Sequence, residues 1–189
     1  GLATDRAQFV HEAGLQAELL DMQRRLQPRG TDGVCALRHA DGVGTAALDG
    51  TYDGVCGLIQ SGRITSSALA GNLTALGVAE ALQVKSLADP ADTALWAGQT
   101  VTGSDTLMMY TYAGDATLDG KINVDDYGRI DFNVSLGTAG WYNGDFNYDG
   151  KINVDDYGII DFNVGIQGAP LVGVATLAAS SAATTPLSW

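Results

Sequence analysis

Basic residues are few in this chain. Lys and Arg number 10 against 22 Asp and Glu, a formal net charge of -12 over 189 residues. So acidic a balance repels phosphate backbones, which argues against nucleic acid as a partner and in favour of cations. No long uninterrupted apolar run of membrane-spanning length occurs, so no membrane span is expected. Histidine occurs only at His11 and His39, and no nucleophile motif, phosphate loop or carboxylate pair stands outside one acidic repeat. The chain is therefore expected not to be an enzyme, and His39 near Asp41 is where any activity would be sought first. Cysteine is equally rare. Cys35 and Cys56 each sit in a DGVC word, and an even count in an exported chain favours a disulfide over two buried thiols. A zinc site built from these cysteines and the distant histidines lacks the usual paired spacing.

What is present is enough for a core, since hydrophobic residues make up 46% of the chain. Glycine and alanine are abundant and lysine scarce, a composition that fits a secreted or cell-surface bacterial protein. Opening on Gly1 without a basic and apolar leader, the chain reads as a processed or excised product. Residues 5–27 place Leu15, Leu19, Met22 and Leu26 at helical spacing and end before Pro28, so residues 1–29 are expected to hold an amphipathic helix about 35 Å long. That is long enough to offer an apolar stripe to a neighbour. Residues 30–66 carry three DGV words between short apolar runs, which predicts brief strands joined by Asp-Gly turns. Residues 67–87 read as helical, and residues 95–115 return to strand-like alternation. The expected body, residues 30–113, is thus small and mixed. Residues 165–189 form an uncharged tail, able to complete another sheet by strand addition.

The strongest signal is a repeat. "GDATLDGKINVDDYGRIDFNV" (114–134) and "GDFNYDGKINVDDYGIIDFNV" (144–164) agree at seventeen of twenty-one positions. Asp115, Thr117, Asp119, Lys121, Asn123 and Asp126 occupy places one, three, five, seven, nine and twelve of a loop whose sixth place is Gly120. Asp145, Asn147, Asp149, Lys151, Asn153 and Asp156 do the same around Gly150. Alternating oxygen side chains, a glycine for the sharp turn and a closing carboxylate suit a hard cation with six or seven oxygen ligands. Two calcium sites are therefore expected, with Lys121 and Lys151 contributing backbone carbonyls and pointing their amines to water. Magnesium prefers fewer protein ligands and a stricter octahedron. Asn147 offers a better carbonyl ligand than Thr117, so the second loop is expected to bind more tightly. After each loop, Tyr127, Ile130 and Val134, and likewise Tyr157, Ile160 and Val164, fall on one helical stripe expected to face inward.

A loop of the form D-x-[NT]-x-D-G-x-I-N-x-x-D, followed by a single helix and present twice, resembles the dockerin modules. The resemblance spans residues 114–164, and "WYNGDFNYDG" from Trp141 is similar to the dockerin-type repeats of large bacterial surface proteins. It implies two loop-helix units about a pseudo-twofold axis, without the incoming EF-hand helix, and with aspartate in place of the usual closing glutamate. It also implies a contact surface at Val124, Asp125 and Phe132 and at Val154, Asp155 and Phe162. Cohesin-binding members typically carry Ser-Thr and Lys-Arg pairs where this chain has Val-Asp and Asp-Phe. The alternative for both phenylalanines is packing on the α/β body.

The expectation is an α+β chain: an N-terminal amphipathic helix, a small mixed body with short strands, and a dockerin-like pair of calcium loop-helix units. Its expected function is that of a calcium-stabilised extracellular structural subunit, self-assembling with copies of itself into a filament or surface layer through its helix and tail. The alternative is an anchoring module that binds a cohesin-like receptor. Asn72 and Asn133 lie in N-x-[ST] words.

Overall fold

The computed structural model describes the backbone of residues 34–37 and all of residues 42–171. The expected helix over 5–27, the tail beyond residue 171, both histidines and the Cys35 side chain lie outside them. The architecture is α+β. In chain order come β1 (Val34–Leu37), α1 (Gly54–Gln60), β2 (Thr74–Glu80), α2 (Ala81–Val84), β3 (Thr93–Trp96), β4 (Gln99–Thr102), β5 (Thr106–Tyr112), α3 (Val124–Val134), a 3-10 turn (Trp141–Asn143) and α4 (Val154–Val164). Among the described residues no helix is long and apolar enough to cross a membrane.

β5 is the centre of an antiparallel sheet in the order β1-β5-β2, and β3 and β4 form a separate hairpin. Nearly every side chain of β5 is buried, so the strand reads as a continuous apolar run instead of an alternating one. The β3–β4 connection places Ala97 and Gly98 at φ 48 and 78, the left-handed pair whose twist matches the flanking strands.

Two expectations about the body are corrected. The word "DGVCGLIQ" forms α1 and not a strand, because a short apolar run cannot distinguish the two by pattern alone. What selects the helix is a clamp across its length. Tyr52 donates its N–H to the Gln60 side chain at 3.0 Å, and the Gln60 amide returns to the Gly50 carbonyl at 2.8 Å. The Gln60 side chain thus ties the last turn of the helix back to the chain that enters it. The segment expected as helix over 67–87 is instead β2 with one turn, α2, after it. All seven residues of β2 pair with β5, from Thr74 opposite Tyr112 to Glu80 opposite Thr106. Tertiary pairing overrides the weak strand propensity of "TALGVAE".

The core explains the choice. A Cβ added at Gly77 would lie 2.5 Å from Leu118 and 2.6 Å from the Trp141 indole nitrogen, so the β2 backbone is the floor on which Trp141 rests. One hydrophobic cluster runs through α1, β2, β5 and the repeat, including Val55, Leu76, Met108, Ile130, Trp141, Tyr148 and Ile160. Cys56 belongs to it as a free, buried thiol, and the other half of the expected disulfide, the Cys35 side chain, lies outside the described residues. Burial pushes the Cys56 thiol up to about 12.

Both repeat helices bury their isoleucine (Ile130, Ile160) and half-bury their tyrosine (Tyr127, Tyr157). The third inward place is not the expected valine. Val134 is exposed and Val164 half-buried, while Asn133 and Asn163 turn inward. The reason is that their amide N–H groups meet backbone carbonyls, while the buried Asn163 Oδ1 has no partner among the described residues. Asn163 donates to the carbonyls of Asn72 and Ala113, both at 2.9 Å, and Asn133 donates to the Arg129 carbonyl and accepts from Thr138. Asn133 is thereby removed as a surface acceptor word, whereas Asn72 is exposed.

Candidate metal centre

Each loop winds its backbone around its first and last aspartates. In the first loop, Asp115 Oδ2 accepts from the Gly120 N–H at 2.8 Å, and its Oδ1 from the Asp119 N–H at 3.2 Å. In the second, Asp145 Oδ2 accepts from the Gly150 N–H at 2.9 Å, and its Oδ1 from the Asp149 N–H at 3.1 Å. Gly120 and Gly150, at φ 90 and 83, supply the left-handed turn that aims those N–H groups inward. Leu118 and Tyr148 share that conformation, both at φ 57, though neither is glycine. Their side chains are buried in the core, which holds the backbone there.

The closing aspartates do a second job. Asn123 and Asn153 cap α3 and α4, accepting from the Asp125 and Asp155 N–H groups at 2.8 Å, and Asp126 and Asp156 return to the N–H groups of Asn123 and Asn153. Loop closure and helix initiation thus use the same carboxylate, which also gains from the helix N-terminus. The free oxygen of each reaches back across the loop. Asp126 Oδ1 accepts from the N–H and hydroxyl of Thr117, and Asp156 Oδ1 from the Phe146 N–H at 2.8 Å.

At the rim, Asp119 and Asp149 accept from the N–H groups of Lys121 and Lys151 at 2.9 Å, and both lysine side chains are exposed. Asn123 donates its amide to Asp119 at 2.9 Å, and Asn147 donates to Asp149 at 3.2 Å. With the rim carboxylates held in this way, no three acidic, histidine or cysteine side chains among the described residues already converge on one point. The repeat does gather all twelve expected residues into two compact loops.

Electrostatically these loops are unusual. Asp115, Asp126, Asp145 and Asp156 are fully buried. Burial pushes Asp115 up to about 7 and Asp126 and Asp156 to about 6, and it raises Asp145 as well. The Thr111 hydroxyl beside Asp115 and the Tyr52 hydroxyl beside Asp145 oppose that rise. The charges that face these four are carboxylates: Asp126 and Asp119 act on Asp115, Asp119 on Asp126, Asp149 on Asp145 and Asp145 on Asp156.

Several supporting residues carry no sequence signal. Tyr52 donates to Asp145 at 2.5 Å from 93 residues away, and Thr111 donates to Asp115. The Trp141 indole N–H reaches the Asp115 carbonyl at 2.6 Å. Glutamine amides brace both loops: Gln167 brackets the Ile122 N–H and carbonyl at 2.8 and 2.7 Å, and Gln60 donates to the Tyr148 carbonyl at 2.8 Å. Leu171 adds an N–H to the Gly120 carbonyl at 2.8 Å.

The two helices cross-link at their outer edge, where Tyr127 donates to Asp161 at 2.7 Å and Tyr157 to Asp131 at 2.6 Å. Phe132 and Phe162 do not pack on the body; both are exposed, as are Val124, Asp125, Val154 and Asp155. On α3 the exposed row continues through Gly128 to Leu136, and on α4 through Gly158 to Ile166.

No protein-family model matches this chain, and neither a curated protein nor a solved structure does.

Proposed function

We propose that this chain is a calcium-stabilised extracellular structural subunit, secreted or held at a bacterial surface, which assembles with copies of itself and performs no catalysis. Its residues 114–164 are a dockerin-like pair of loop-helix units, each holding one calcium ion. The observation that carries the calcium reading is the set of four fully buried aspartates whose charged neighbours are further carboxylates. Burying like charges together is costly unless a cation joins them. The donors are all oxygens, which suits a hard cation. Asp115, Thr117, Asp119, Asn123, Asp126 and the Lys121 carbonyl would hold the first ion. Asp145, Asn147, Asp149, Asn153, Asp156 and the Lys151 carbonyl would hold the second.

Thr117 brings a hydroxyl, which donates to Asp126, whereas Asn147 brings an amide carbonyl, the stronger oxygen ligand, which accepts from the Asp149 N–H at 2.8 Å until an ion takes its place. Replacing Thr117→Asn should tighten the first site several-fold in a calorimetric calcium titration. An unchanged first-site affinity would count against the ligand assignment.

Assembly is supported by the absence of any charged side chain from Phe162 to Trp189. A second reading, docking to a cohesin-like receptor, is supported by the exposed rows on α3 and α4, which recur at the same repeat positions. Negative-stain microscopy with sedimentation in calcium separates the two. Self-assembly predicts filaments or sheets that disappear when residues 172–189 are removed, a cut that keeps the Leu171 bond to Gly120. Phe132→Ser with Phe162→Ser should leave those polymers and the fold intact, since exposed substitutions of this kind change stability by roughly half a kcal/mol or less. A chain that stays monomeric by itself in calcium defeats self-assembly. Capture of a cohesin-like domain that the phenylalanine pair abolishes would then establish docking.

A further inference from the structure

The two loops are nearly identical in sequence, yet their first aspartates are held by different parts of the molecule. Each Oδ2 takes two donors: the N–H of its loop glycine, and one hydroxyl from outside the loop. That leaves Oδ1, with one long N–H contact of 3.2 or 3.1 Å, as the less engaged oxygen of each leading aspartate. In the first loop the hydroxyl belongs to Thr111, four residues before Asp115 and fully buried at the end of β5. Four residues before Asp145 the chain has Trp141, which carries no hydroxyl and sends its indole N–H to the Asp115 carbonyl instead. The second repeat therefore lacks the donor that β5 supplies just ahead of the first. Tyr52 fills the role from the body, its ring edge-on to Tyr148 at 6.0 Å and stationed just before α1.

We propose that Thr111 and Tyr52 are the positioning residues of the first and second calcium sites, each locking the leading aspartate of its loop so that one carboxylate oxygen faces the ion. The inference rests on the calcium reading above and adds to it that each site is completed by a hydroxyl from outside the repeat, the first from the adjoining strand and the second from 93 residues away. Hydrogen-bond partners of metal-binding carboxylates fix their orientation, and losing one typically costs tenfold or more in affinity. The packing of α1 against the repeat thereby sets the strength of the second site, and the body and the second ion stabilise each other.

Calcium titration calorimetry on the full chain tests this, with one loop silenced at a time by Asp119→Ala or Asp149→Ala. Tyr52→Phe removes a single oxygen and keeps the ring. It should weaken the remaining site about tenfold when the first loop is silenced, and leave affinity unchanged when the second loop is silenced. Thr111→Val should show the opposite pattern, and Thr111→Ser should restore the first site. General damage to the fold would instead shift both sites together under either substitution. Equal shifts at both sites, or none at either while two ions still bind, overturn the proposal. An unaltered chain that binds no calcium overturns the calcium reading and this inference with it.

Discussion

Transferring the chain from calcium to chelator at neutral pH should lower its melting temperature by about 10–20 °C. An ion held at about a hundred times its dissociation constant stabilises the folded state by about 2.7 kcal/mol, and two sites double that. For a domain of this size each kcal/mol moves the midpoint by about 2–4 °C. The loss should be global, because the cluster that includes Ile130, Trp141 and Ile160 is continuous with Val55, Leu76 and Met108.

The pH dependence gives the same experiment a second readout. Without calcium, Asp115 titrates at about 7 and Asp126 and Asp156 at about 6, against an ordinary value of 3.8. The folded chain then binds protons more tightly than the unfolded chain. Its proton-linked stability is fully present below pH about 3.8 and is lost as pH rises through 6 to 7. In calcium-free buffer the midpoint should therefore fall between pH 4.5 and 7.5. With calcium, which competes with those protons, it should fall much less over the same window. Scanning calorimetry across that range in both buffers checks the difference. A midpoint indifferent to chelator at pH 7.5, or one that climbs with pH in calcium-free buffer, would refute the role given to the loops.

Trp141→Ala is the substitution expected to do the most damage. Trp141 is wholly buried, meets Phe146 edge-on at 5.3 Å, stacks on Tyr148 at 5.6 Å and lies against the Gly77 backbone. Removing it leaves a cavity among groups held by the sheet and both loops, at a cost of about 3–5 kcal/mol. The Asp115 carbonyl also loses its indole donor, so the first calcium site should weaken while the second changes less. Trp141→Phe separates the two effects, keeping a ring and losing the N–H, for about 1–2 kcal/mol. Gly77→Ala attacks the same contact from the other side, since its Cβ would overlap the indole. Urea unfolding followed by circular dichroism measures all three. A cost below about 1 kcal/mol for Trp141→Ala would mean that the indole is not the keystone described here.

Local features of this protein are legible in its sequence. The two loops, the helix after each, the strands across residues 95–115 and the buried isoleucines follow from spacings of a few residues. Where sequence pattern and fold disagree, the deciding partner is distant along the chain. "TALGVAE" becomes a strand because β5 lies beside it, and "GVCGLIQ" becomes a helix because Gln60 must reach Tyr52 and Gly50. Asn163 displaces Val164 from the inward face because carbonyls at Asn72 and Ala113 need a donor. None of these demands leaves a periodic trace.

By itself the sequence determined which loop residues carry oxygen, where the chain must turn left-handed, and that a helix comes with each loop. Those properties depend on neighbours within about a dozen positions, and a repeat states them twice. Only the tertiary structure decided how the two copies come to differ. It set Thr111 behind one leading aspartate and Tyr52 behind the other, laid Trp141 on Gly77, and left Phe132 and Phe162 outside the core. Burial and hydrogen bonding between residues far apart in the chain exist only once the core has closed, so identical words acquire different surroundings.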